Sequence, residues 1–381
     1  MKSHCFLLPQ TAFFLSLFVS LALSHKYHES SALHSQLKGY FSKVYAFGDS
    51  YTDTGNARSL GGLIAKSKNY PSKFGEPGSR LSDGRLVIDY LCEALSTPPL
   101  PPYKGASLKY SGGANFALAG STALSGDYFL KGKLHPLIWR RTPISFQTQA
   151  DWFRNFQQLK GCNRKNETKC IAEMESTLFW IGAMGVNDYT RTIGSSVPLH
   201  WLAERSVTHV YGLFKVLLES GAKYITIEGL PPVGCLPIAM AQSRNQNLDK
   251  MGCDANVNKA VTFHNQILQR WLEKFREMYP NSSILYADYW NAYLTILMNP
   301  KKYWFKEPFK ACCGAGGKFN FNVRSICGSP GSSTCNNSSN HISWDGIHLT
   351  EAMNRHLVDM FLNQGFCQPS FQELIKSKSG I

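Results

Sequence analysis

Four short apolar runs, Val44–Phe47, Leu178–Ile181, Tyr224–Ile227 and Ile284–Ala287, constrain this chain more than any other feature. Each is too short for a helix and has a helical pattern beside it, which reads as a strand buried on both faces. One helix, Trp201–Leu218, precedes the third run, with Gly221 as its candidate cap. A second, Ala255–Tyr279, puts Val257, Val261, His264, Leu268, Trp271 and Phe275 at helical spacing before Pro280 ends it. A third opens at Gly84-Arg85, with Val87, Ile88, Leu91, Ala94 and Leu95 on one face. Strands alternating with helices of this length predict an α/β fold whose parallel sheet is covered on both sides.

The ends of the chain have a different character. Lys2 and His4 precede an apolar run from Phe6 to Leu23, and Ala22-Leu23-Ser24 offers small residues at a cleavage point, so residues 1–24 read as a secretory signal peptide. Residues 25–41 are a polar lead-in expected to be poorly ordered. A single folded domain is expected over 42–381, and no later stretch is apolar enough to span a bilayer. The Gly-, Ser-, Asn- and Cys-rich stretch from Ala311 to Asn340 reads as a disulfide-tied loop rather than a linker, because little chain follows it.

Loss of the leader removes Cys5 and leaves ten cysteines, an even number that in a secreted chain predicts disulfides of unread connectivity. A metal site is not expected: there is no Cys-x-x-Cys, and adjacent Cys312 and Cys313 lack a usual zinc-site spacing. Glycosylation sequons at Asn166, Asn281, Asn336 and Asn337 fit the same route and predict surface loops. A net charge of +14 is scattered, with no basic run, which argues against nucleic acid. It predicts weak adhesion to acidic cell-wall polysaccharide or an anionic membrane surface. Nothing marks an obligate protein partner.

Chemistry concentrates where the first strand stops, at Phe47-Gly48-Asp49-Ser50-Tyr51-Thr52-Asp53. A strand ending in a tight turn holds a small hydroxyl at the sheet edge where ligands settle, so Ser50 is a candidate nucleophile. It needs a base. In Asp345-Gly346-Ile347-His348 a carboxylate three residues before an imidazole can fold back onto one ring nitrogen, leaving the other free toward Ser50. Donors for an oxyanion come from Asn187 in Gly185-Val186-Asn187-Asp188 and from Gly120, which ends Asn115-Phe116-Ala117-Leu118-Ala119-Gly120. Taken singly, Asn187 reads equally well as a helix cap and Gly120 as a turn residue. His264, His341 and His356 read as structural or exposed, and Trp180, Trp201 and Trp271 as core.

In this order the segments resemble the plant GDSL esterase/lipase family of the SGNH hydrolases, over nearly the whole mature chain. Ser82-Asp-Gly-Arg85, Leu230-Pro-Pro-Val-Gly-Cys-Leu-Pro237 and Cys312-Cys-Gly314 add to the match. The resemblance implies a three-layer α/β/α sandwich with a flavodoxin-like parallel sheet of about five strands. It assigns Ser50 as nucleophile, His348 as base and Asp345 as its orienter. The Ser50 amide, the Gly120 amide and the Asn187 side chain then form the oxyanion hole. No metal or organic cofactor is implied, and the substrate would be a small-molecule or lipid ester. The Gly-x-Ser-x-Gly elbow of other lipases is absent. Val186, where relatives often carry Gly, and Lys318-Phe319, where they carry Pro-Tyr, bear on substrate more than on activity. Two other uses of such a site are acyl transfer to an alcohol and binding of cell-wall or lipid ligands by an inactive scaffold.

Overall fold

All four expected strands form, and two more join them. The computed structural model describes residues 37–61, 79–105, 110–131, 143–162, 167–243 and 247–379. The leader, most of the lead-in and the sequon at Asn166 lie outside the described residues.

β1 (Lys43–Phe47) is central. It pairs in parallel with β2 (Gly113–Asn115) on one side and β3 (Thr177–Ile181) on the other. β4 (Tyr224–Glu228) and β5 (Ser283–Ala287) extend the sheet in parallel. The two-residue antiparallel β8 (Cys367–Gln368) closes the β5 edge. The order β2-β1-β3-β4-β5 is the flavodoxin-like one, so the chain reverses direction across the sheet beside β1 and opens a crevice between β1 and β3. β2 escaped sequence reading because three residues, one of them Gly113, carry no apolar period.

Alternation along each strand fills two cores. Val44, Ala46, Leu178, Trp180 and Leu285 face one, against α1 (Val87–Leu95), α7 (Tyr289–Met298) and α8 (Glu351–Asn363). Tyr45, Phe47, Phe179, Ile181 and Ile225 face the other, against α2 (Phe146–Leu159) and α4 (Leu199–Glu219). The long helix α6 (Ala255–Met278), which follows the short α5 (Pro237–Gln242), serves both, with Val257 and Val261 in the first core and Leu268, Leu272 and Phe275 in the second. Period-two burial on both faces is what a parallel sheet between helical layers requires.

Two expectations need correction, on the lead-in and on two tryptophans, while the expected disulfides form with two cysteines left over. Leu37 and Phe41, within the supposed loose lead-in, are buried, and the Phe41 ring meets Tyr224 edge-on at 5.4 Å. Two apolar residues four apart tie that stretch to the core. Four disulfides form, Cys162–Cys170, Cys235–Cys253, Cys312–Cys335 and Cys313–Cys327, while Cys92 and Cys367 are buried free thiols. Both pack in the first core as small hydrophobes, and burial pushes the Cys92 thiol up to about 12, so it is inert. Of the tryptophans, Trp180 is core, but Trp201 and Trp271 are half-buried at core margins. The loop from Ala311 to Asn340 is tied by two of the bridges, as expected, and the sequons at Asn281, Asn336 and Asn337 are exposed.

Candidate active site

The turn after β1 is built by hydrogen bonds to backbone. Gly48 has φ +144°, and a Cβ there would stand 3.1 Å from Thr52 Oγ1 and 3.3 Å from Gly182 Cα, so only glycine fits. Gln149 of α2 holds Gly48 from both sides: its Oε1 accepts the Gly48 N–H at 3.0 Å and its Nε2 donates to the Gly48 carbonyl at 2.7 Å. Beyond it, the N–H groups of Thr52 and Asp53 donate to the Asp49 carbonyl at 3.1 and 2.9 Å. Ser50 therefore sits in the first turn at the end of a central strand, and its own N–H has no acceptor among the described residues.

The oxyanion candidates are anchored by neighbouring carboxylates. Asp53 accepts the N–H groups of Gly55, Asn56 and Ala57 and reaches across to that of Ala119 at 2.8 Å, fixing the approach to Gly120. Gly120 is buried with φ +82°, and its N–H likewise has no acceptor among the described residues. Asn187 lies in the first turn of α3 (Val186–Thr192), whose N-cap is Gly185, so Asn187 is not the cap. Its Nδ2 donates to the Ser121 carbonyl at 2.9 Å and to Asp49 Oδ2 at 3.1 Å. Asn187 thus ties the Gly120–Ser121 turn to the residue before Ser50.

Asp345 and His348 form the anticipated unit. Asp345 Oδ1 accepts the Ile347 and His348 N–H groups at 2.9 and 2.7 Å, and Oδ2 meets His348 Nδ1 at 2.7 Å. Gly346 makes this turn possible: φ is +94°, and a Cβ would fall 2.2 Å from the Phe321 ring. Burial alone would raise the Asp345 pKa, but His348 and these hydrogen bonds hold it below the ordinary carboxylate value. His348 Nε2 is buried and makes no hydrogen bond among the described residues, so no bond to Ser50 Oγ is formed. Such contacts tighten when substrate is bound.

Several residues that position this loop carry no local sequence signal. The Tyr51 hydroxyl donates to the Ile347 carbonyl at 2.7 Å, and its ring lies 5.9 Å from the His348 ring. The residue after the candidate nucleophile therefore holds the segment of the candidate base. Ser82-Asp-Gly-Arg85, visible in the sequence as a motif without a role, clamps the other side. Ser82 Oγ donates to the Leu349 carbonyl at 2.9 Å, Asp83 accepts the Glu351 N–H at 2.7 Å, and Arg85 pairs with Glu351 at 2.7 Å.

Two more buried carboxyls lie behind the serine. Burial raises Asp49 to about 7 against the pull of the Tyr51 N–H and His348, and raises Glu228 to about 8 although it accepts the Ala183 N–H at 2.9 Å. His264, buried beside α3, is driven down to about 3 by the same desolvation. Two groups have the composition of metal ligands, Cys312/Cys335/His341 and Cys235/Asp249/Cys253, but in each the two sulfurs are bonded to one another as a disulfide.

A buried serine with unengaged amides near it, and a carboxylate-anchored imidazole on a loop tied to the serine's neighbour, are the parts of an acyl-transfer site. The family described as GDSL-like lipase/acylhydrolase matches residues 44–361. The chain belongs to this family. A GDSL esterase/lipase of Arabidopsis thaliana is 40% identical over 352 residues, covering 89% of this chain and 90% of the relative. Acetylajmalan esterase 2 of Rauvolfia serpentina is 32% identical over 334 residues, 84% of this chain and 90% of its own. Sinapine esterase of Brassica napus is 31% identical over 346 residues, 87% of each. This GDSL hydrolase is a carboxylic ester hydrolase, and it carries Tyr51 where the family's name spells leucine.

Proposed function

We propose that this GDSL hydrolase is a secreted serine esterase that acts through an acyl-enzyme on Ser50. His348 Nε2 removes the Ser50 Oγ proton as Oγ attacks the ester carbonyl carbon, and the carbonyl electrons move onto its oxygen. The amides of Ser50 and Gly120 receive that oxyanion, joined by Asn187, which turns one Nδ2 hydrogen from Asp49 toward it while the other stays on Ser121. Collapse breaks the bond to the alcohol oxygen, which leaves with the proton from His348. Water, deprotonated by the same nitrogen, releases the acid and restores Ser50. Asp345 keeps the ring oriented and stabilises the imidazolium.

The observation that carries this reading is the 2.7 Å Asp345–His348 pair, with the far ring nitrogen uncommitted, on a loop held by the residue next to a buried serine. The relatives named for acetylajmalan and sinapine favour esters of small specialised metabolites as substrates over polymeric lipids. Disulfides in the fold favour an oxidising, extracellular compartment. The test is a fluorophosphonate probe on wild type and Ser50→Ala, beside a panel of small esters with product analysis. Labelling and hydrolysis should both vanish in the variant. Labelling that persists would remove Ser50 from its role, and ester exchange outpacing hydrolysis with added alcohols would make the enzyme a transferase.

A further inference from the structure

Trp304 is costly where it stands. It is 78% exposed, so its indole gains little from burial. Its backbone has φ +68° and ψ 13°, the left-handed conformation that favours glycine and strains other residues. The left-handed backbone caps the Pro300–Tyr303 turn, a role that needs no indole. The loop is nonetheless firmly framed: the Trp304 N–H donates to the Lys301 carbonyl at 3.2 Å, that of Phe305 to Pro300 at 2.9 Å and that of Lys306 to Asn340 at 2.8 Å. Tyr303 and Phe305 on either side are buried, with ring centroids 5.3 and 5.7 Å from His356. Buried neighbours and a held backbone present the indole outward.

The same turn is basic. Lys301, Lys302 and Lys306 are exposed and form no ion pair among the described residues. The acidic groups nearby are already engaged, since Glu307 pairs with Lys310 at 3.3 Å and Asp359 accepts from Asn363 and Gln364. The turn also lies far from the catalytic mouth. α7 starts at the carboxyl end of β5, the edge that carries Ser50, and its ten residues run back about 15 Å before the Pro300–Tyr303 turn. From there β6 (Glu307–Ala311) returns in parallel with β7 (His341–Ser343), which leads directly to Asp345.

We propose that Lys301, Lys302, Trp304 and Lys306 form a docking surface for an acidic polysaccharide, a linear polyuronate. The flat indole stacks on the apolar face of a sugar ring, and the ammonium groups pair with carboxylates of successive units. A polymer held here, about one helix length from the mouth, leaves it open to diffusing esters. A bilayer on the same patch would turn that mouth away from lipid, and one exposed indole is little apolar surface for insertion.

The test measures retention of the full secreted protein on immobilised polygalacturonate, on a neutral polysaccharide and on vesicles of phosphatidylserine and phosphatidylcholine. Protein is treated first with an N-glycosidase, because the sequons at Asn336 and Asn337 lie close to Asn340. Wild type should be retained on polygalacturonate alone, and less as salt rises. Trp304→Gly should weaken binding about ten-fold with no loss of Tm, since it also relieves the left-handed residue. The triple change Lys301→Glu, Lys302→Glu, Lys306→Glu should abolish retention. The same charge change at exposed Lys215, Lys259 and Lys274 should leave most of it. Unaltered retention in Trp304→Gly or in the triple variant, equal loss in the control triple, or binding to vesicles but not polyuronate would each overturn the proposal. Retention does not depend on ester chemistry, so failure here leaves the esterase reading standing.

Discussion

Tyr51 and Gln149 do work at the residue scale that their neighbours in sequence do not announce. Tyr51 is buried, and its hydroxyl is the partner of the Ile347 carbonyl, one residue before His348. Tyr51→Phe keeps the ring and removes that bond, so the fold should persist while the imidazole loop loosens. An uncompensated hydrogen bond of this kind is worth about 1–1.5 kcal/mol, so kcat/KM should drop roughly ten-fold with KM little changed. A rise in KM or a fall in Tm alone would assign Tyr51 to packing instead. Gln149→Leu is the sharper stability test, because it leaves the N–H of Gly48 unpaired in the interior and its carbonyl with the Leu118 N–H alone. A loss of about 1–3 kcal/mol is expected in denaturant unfolding.

At the scale of elements, the imidazole loop belongs to no helix or strand and depends on what brackets it. On one side Ser82 and Asp83 meet Leu349 and the first N–H of α8, and on the other the bridged loop from Cys312 to Cys335 lies against it through Phe321. The Cys313 N–H donates to the Trp344 carbonyl, next to Asp345. Opening Cys312–Cys335, whose cysteines are 23 residues apart, should cost about 3 kcal/mol from loop entropy. Because that loop borders the Asp345–His348 pair, Cys312→Ser with Cys335→Ser should reduce activity more than the same change at Cys162 and Cys170, which lie outside it. Equal activity in the two double variants, measured below their Tm values, would detach the loop from the site.

Across the whole molecule, burial of ionisable groups sets how stability responds to pH. Glu228 sits near its ordinary 4.5 when unfolded and at about 8 when folded, and Asp49 moves in the same direction to about 7. Between those values the folded state holds protons that the unfolded chain has lost, so stability is full below the unfolded pKa and declines as pH rises through 8. His264 works from the other side: lowered from 6.5 to about 3, it costs stability as pH falls below 6.5. Glu228→Gln can keep accepting the Ala183 N–H but carries no charge. Its Tm should therefore fall less than wild type between pH 6 and 9, by several degrees, or about 1–3 kcal/mol. Parallel Tm curves would show that Glu228 is not the titrating group.

The sequence by itself determined the alternating strands and helices, the parallel sheet with two covered faces, and the Ser50, Asp345 and His348 segments. These are written locally, in apolar periods and in a carboxylate three residues from an imidazole. The ten cysteines suggested a pairing that only packing could decide, since Cys92 and Cys367 lie in an apolar core where no partner sulfur meets them. Nor does any local pattern reveal that Gln149 would reach Gly48, or that Tyr51 would reach Ile347, 296 residues away in sequence. Contacts of that separation are made by the fold and not by neighbouring residues. Tertiary structure alone decided how the Ser50 turn and the His348 loop are held together, and that the indole of Trp304 stays outside.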